Sequence, residues 1–167
     1  MKPIFSQLRK PLACIIACLC FGVAAVVPGA AQETEVPIAI VVHKDTTVED
    51  LSLQDLRSIF LANQQFWPDR TRITLLVRAP KSDERDFVLN RIYQMDEAQF
   101  RQYWIAKMFR AEVPRGPKIV FSNDMALELV VAIPGSISFI KADQVSGDVR
   151  LLRVDGKLPN DDGYPLR

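Results

Sequence analysis

Ile73 to Val88 reads ITLLVRAPKSDERDFV, and it contains in sixteen residues the unit from which the whole domain is built. Ile73 to Val77 is a short apolar run with β-branched ends, the pattern of a buried strand. It stops at Arg78, and Ala79-Pro80-Lys81 forms a loop. Ser82 then has the position and chemistry of a helix N-cap, with Asp83 and Glu84 in the first turn where negative charge suits the exposed N–H groups. Phe87, Val88, Ile92 and Met95 follow at helical spacing and predict the inner face of that helix. Strand, loop and capped helix in this order point to an α/β unit.

The same unit recurs on both sides. Val36 to Val42 (VPIAIVV) predicts a strand buried on both faces. Ser52 opens a helix flanked by Leu51 and Leu56 as a staple, with Asp55 placed for a capping box, and with Leu53, Leu56, Ile59 and Phe60 inward; Asn63 can end it. Asp96 with Gln99 three residues on starts a third helix, along which Phe100, Trp104 and Met108 form a stripe that reads as core. Pro114, Gly116 and Pro117 break the chain before a strand over 118–121. Ser122 caps a helix with Ala126, Leu129, Val130 and Ile133 inward, stopped by Pro134-Gly135. Strands over 137–140 and 149–154 complete the pattern, the last turning at Asp155-Gly156. Parallel neighbours need a crossover and the helices supply it, so the expected fold class is α/β, an about five-stranded, mostly parallel sheet flanked by helices.

Residues 1–31 read as an address. Lys2, Arg9 and Lys10 form a positive start, Leu12 to Val27 is apolar, no acid is present, and Gly29-Ala30-Ala31 offers a cleavage site near Ala31. Pro28 and the small residues after it favour cleavage over a retained anchor. Ile15 to Cys18 faintly resembles a lipidation box, but the apolar run continues past Cys18. The expectation is a secretory signal peptide over 1–31, one domain over 32–158 and a polar surface tail over 159–167.

Removing the signal takes 21 Lys+Arg to 18 against 20 Asp+Glu, so the charge falls from +1 to −2. Such a balance argues against nucleic acid as a partner. Cys14, Cys18 and Cys20 leave with the signal, so the domain holds together by its core and has no thiol chemistry. His43 is the sole histidine. It reads as a strand-end surface residue without a nucleophile motif beside it, and neither an enzyme nor a metal or other cofactor is expected.

In sheets of this kind ligands sit beyond the carboxyl ends of the strands, where helices present their N-termini. Arg78 to Ser82 and Ser122-Asn123 have that layout. A guanidinium fork, hydroxyls and free backbone N–H groups would hold a small tetrahedral oxyanion. Both serines also have a purely structural reading as caps. Asp83 and Glu84 read as solvated acids at a helix start.

Further residues carry a resemblance. Leu51 to Leu61 (LSLQDLRSIFL), Trp67, Leu76-Val77-Arg78 with Ser82 and Phe87, Val131 to Ile140 (VAIPGSISFI) and the closing Tyr164-Pro165-Leu166-Arg167 resemble the PstS-like phosphate-binding periplasmic proteins of ABC transporters. The likeness runs from about Ile38 to Arg167. It implies the type II periplasmic-binding fold, here as a single lobe resembling the family's second one. The family's R-x-x-x-S-G-T motif is matched at Arg78 and Ser82, while Asp83 and Glu84 replace Gly-Thr, and no Gly/Ser/Thr-rich loop lies between Gln32 and Ile38. At roughly 6 Å and an effective dielectric near 20, each acid costs a bound anion about 2–3 kcal/mol if it points inward.

The resemblance implies an exported, periplasmic or secreted, solute-binding-like protein for phosphate or a related oxyanion, with Arg78, Ser82, Asp83, Ser122 and Asn123 around the ligand. An ABC permease, a sensor or another envelope protein would be its partner, and a homodimer can supply the second wall that a lone lobe lacks. The alternative is a lobe that has lost its ligand and serves as an interaction or scaffold domain in the cell envelope.

Overall fold

The computed structural model describes residues 36–167. The signal peptide expected over 1–31 and its cleavage near Ala31 lie outside the described residues. Six strands, β1 (Ile38–His43), β2 (Asp50–Leu51), β3 (Thr74–Arg78), β4 (Lys118–Val120), β5 (Ser136–Lys141) and β6 (Val149–Val154), form one sheet in the order β2-β6-β1-β5-β3-β4. Helices α1 (Leu53–Phe60), α2 (Asp83–Val88), α3 (Glu97–Phe109) and α4 (Asn123–Ala132) cover it, and a π-type turn over Leu89–Tyr93 extends α2.

β1 runs antiparallel to both of its neighbours, β5 and β6, while β2 pairs parallel with β6 and β3 pairs parallel with β4 and β5. Five strands therefore share one direction and the first opposes them from the middle of the sheet. The α/β expectation is met by a mixed sheet of six strands. The extra strand, β2, has two residues, too few to leave a periodic signal.

Every residue of β1 is buried. Ile38, Ile40 and Val42 enter the core layer that includes Leu56, Ile59 and Phe60 of α1, Val88 of α2 and Phe100 and Trp104 of α3. Ala39 and Val41 enter the layer formed with Ala126, Leu127 and Val130 of α4. A strand between two helical layers has no wet face, which is why its sequence is apolar without alternation. Ser136 and Ser138 of β5 are buried too, and their hydroxyls donate to Val130 O (3.1 Å) and Leu76 O (3.2 Å).

The helix starts lie where local sequence puts them. Ser52, Ser82 and Ser122 accept the expected backbone N–H bonds, and Asp96 with Gln99 closes a reciprocal capping box. Helix α1 ends at Phe60 with Leu61 as its cap, before Asn63, because Ala62 takes a left-handed conformation at φ +52°.

Four expectations are corrected. His43 is buried: its ring accepts from Asp45 N at 3.2 Å, so it closes the turn after β1. Met108 is 41% exposed, so the α3 core stripe ends at Trp104, with Lys107 packed beside it and bonded to Asn63 Oδ1 at 2.8 Å. Glu84 is buried. The segment 159–167, expected on the surface, returns to the core: Leu166 is fully buried, its carbonyl accepts from Ile38 N at 2.9 Å, and the Tyr164 hydroxyl donates to Ile38 O at 2.9 Å. Its polar residues 160–162 are exposed around these two anchors.

Candidate functional site

Strands β3 and β4 end side by side, with Arg78 in register with Val120 and Ala79 N donating to Val120 O at 2.8 Å. Helices α2 and α4 start directly beyond, so the two Ser-capped N-termini expected from sequence are neighbours in space. The structure confirms this adjacency through Asn123, whose Nδ2 donates to Glu84 Oε1 at 3.0 Å and also to Gln144 Oε1.

Around this meeting point the expected residues divide. Arg78 is largely buried, with its Nε 3.9 Å from Glu84 Oε2, and both Nε and Nη1 lack a hydrogen-bond acceptor. Asn123 is buried, and its Oδ1 is likewise without a partner. The Ser82 hydroxyl is engaged locally, accepting from Arg85 N at 3.4 Å and donating to Ala79 O at 3.2 Å. The Ser122 hydroxyl accepts from Met125 N at 3.0 Å on an exposed residue. Asp83 turns outward, almost fully exposed, 3.8 Å from Lys141 Nζ. The structure thus brings Arg78 and Asn123 onto one group, Glu84, and turns Asp83 away from it.

Glu84 lies between these two donors. Burial pushes its carboxyl up, but the N–H bond at the helix start, the Asn123 donor and the charges of Arg78 and Lys141 outweigh that, and it is held below its ordinary value. Beside it a cleft of about 260 Å³ opens between Ile38, Phe87, Lys141 and Arg167. Arg85, 2% exposed, steadies the end of β3: Nη1 donates to Arg78 O at 2.6 Å, while Nε and Nη2 form a fork to Glu97 at 2.8 and 3.0 Å. Its guanidinium also lies 4.6 Å from the Phe100 ring centre.

Sequence reasoning missed Glu84, Arg85, Lys141 and Glu97 as parts of this cluster. One signal was available for Glu84: counting back four residues from Val88 places it on the buried stripe of α2. The run Asp-Glu-Arg-Asp obscures that periodicity.

No protein-family model and no curated protein sequence matches the chain. Solved structures do. The chain is similar to an ABC-type phosphate transport receptor from Vibrio cholerae (18% identity, TM-score 0.62, covering 78% of this chain and 52% of that one). It is also similar to PstS from Borrelia burgdorferi (17%, 0.62, 78% and 53%). A third is a candidate phosphate ABC transporter substrate-binding protein from Clostridium perfringens with bound phosphate (21%, 0.58, 72% and 45%). The chain spans about half the length of these proteins. It has the α/β periplasmic-binding-type fold that they share.

Proposed function

We propose that this chain is an exported solute-binding-like lobe that takes a small oxyanion, phosphate first among those to test, at the paired ends of β3 and β4. One observation carries the reading: Arg78 keeps two buried N–H donors without acceptors at the carboxyl end of a parallel strand, facing two helix starts. Asn123 adds a side-chain amide and Ser82 and Ser122 mark the helix N-termini. The similar phosphate receptors support the ligand class. Glu84 occupies the position now, so an incoming anion must displace its carboxylate. A half-site open on one side needs a second wall for tight binding, and a second copy, an ABC permease, a sensor or another envelope protein can provide it. The reading is of binding and delivery outside the cytoplasm, after removal of residues 1–31, without turnover.

Glu84 favours a second reading. An internal carboxylate that permanently balances the Arg78 charge and accepts from Asn123 Nδ2 would leave a ligand-free lobe serving as an interaction or scaffold domain of the envelope.

Isothermal titration of the protein with phosphate and then sulfate separates the two. Saturable heat that disappears in Arg78→Ala is the result expected for the first. A folded protein that gives no heat with either anion, or an Arg78→Ala variant that binds as tightly as wild type, overturns it in favour of the second.

A further inference from the structure

A second cavity, of about 110 Å³, lies at the other end of the sheet, against Thr74 at the start of β3 and Lys118 at the start of β4. Arg78 is four residues further along β3, about 13 Å at roughly 3.3 Å per residue. The two places are separate.

The walls of this cavity are of two kinds. One part is apolar and buried, with Leu75, Val113 and Trp104, which are 8%, 5% and 6% exposed. Its other walls include the cations Arg72, Arg115 and Lys118, and no Asp or Glu lines it. Arg115 and Lys118 are exposed and form no ion pair among the described residues, while Arg72 Nη2 donates to the neutral Gln65 Oε1 at 3.3 Å. The nearby Glu112 is already engaged by Lys107 at 3.4 Å and by Arg110. Positive charge at this opening is therefore uncompensated.

The Trp104 indole supplies an independent observation. Its Nε1 is buried and has no hydrogen-bond partner, whereas the chain's other tryptophan, Trp67, donates from Nε1 to Gly135 O at 3.0 Å. Trp104 also lines the cavity, so its unpartnered indole N–H is placed to sense what enters.

We propose that this cavity binds a small organic carboxylate, its apolar body against Leu75, Val113 and Trp104 and its carboxylate toward Arg115 and Lys118. Size fits the class. An apolar cavity of about 150 Å³ accepts a benzene ring, so a somewhat smaller one open to water takes a single ring or a short chain with its charged end outside. Inorganic phosphate would leave the apolar walls wet, and a neutral ring would leave the cations unanswered. The site is independent of Arg78 and of the oxyanion reading.

Benzoate is the probe, and the indole N–H resonance of Trp104, in ¹⁵N-labelled protein and assigned with Trp104→Phe, is the readout. Benzoate should move that resonance saturably and leave the Trp67 resonance in place. Arg115→Ala/Lys118→Ala, a change confined to exposed side chains, should weaken binding at least about tenfold with the thermal midpoint unchanged, and benzyl alcohol should bind at least about tenfold more weakly than benzoate. Arg78→Ala should leave the benzoate affinity unaltered. A Trp104 resonance that stays put with benzoate overturns the proposal, as does equal binding of benzyl alcohol, equal movement with inorganic phosphate, or unchanged affinity in the double variant.

Discussion

Arg78 Nε and Glu84 Oε2 face each other at 3.9 Å, one from the end of β3 and the other from the first turn of α2, with both side chains about nine-tenths buried. The protein thus sets its own carboxylate against the guanidinium that the proposed oxyanion would need. Replacing that charge while keeping the shape should open the position. Glu84→Gln is expected to raise phosphate affinity about tenfold or more in isothermal titration, because the competing negative charge is gone and the Asn123 Nδ2 donor still has an acceptor. Equal affinity in wild type and variant would separate Glu84 from the anion site.

The same residue sets an acid limit on stability. Its carboxyl is held below the ordinary value of 4.5 in the folded state, so the folded form keeps the charge where the unfolded chain would take up a proton. The stabilisation is complete above the unfolded value and is lost as pH falls through the lower, folded value. Urea unfolding at a series of pH values should show wild type losing stability below about pH 4.5 more steeply than Glu84→Gln, with the difference between them shrinking at the most acid end.

The carboxyl-terminal segment should be worth measuring residue by residue. Leu166 is fully buried, and Leu166→Ala is expected to cost about 3 kcal/mol in urea unfolding. Tyr164→Phe removes the hydroxyl donated to Ile38 O at 2.9 Å and should cost about 1 kcal/mol. Substitutions at the exposed Asn160 or Asp162 should fall within about 0.5 kcal/mol of wild type.

Gly135 has a double reason to be glycine. It sits at φ +76°, and a Cβ there would stand 2.5 Å from Arg72 O and 2.7 Å from Thr71 Cγ2. Its carbonyl also receives the Trp67 indole N–H and Thr74 N. Gly135→Ala is expected to destabilise by at least about 2 kcal/mol, through backbone strain and displacement of the loop from Trp67 to Ile73. Thermal unfolding would register it directly.

What could be read from the sequence divides by range. The caps at Ser52, Ser82, Asp96 and Ser122 were legible because each depends on a hydroxyl or carboxylate three residues from its partner. The strands were legible as apolar runs. The opposed direction of β1 was not, because it arises from pairing with residues about a hundred positions away. The burial of Tyr164 and Leu166 was not legible for a similar reason: two apolar residues within a short polar run have no period, and their partner is Ile38. At the candidate site Arg78 and the helix starts followed from the strand-loop-helix pattern, whereas burial of Glu84 and Arg85 required knowing that Asn123 and Glu97 would meet them. Charged residues in a helix's first turn look alike in sequence whether they face water or a partner.

The central place of β1 also ties folding to the order of synthesis. Its neighbours on both sides, β5 and β6, are made roughly a hundred residues later, so a nascent chain that has not reached Ser136 carries its first strand with both edges open. The sheet cannot close until residues 136–154 exist, and Leu166 docks on Ile38 later still. Such long-range pairing slows folding and leaves the emerging chain without its central sheet until these residues have been made.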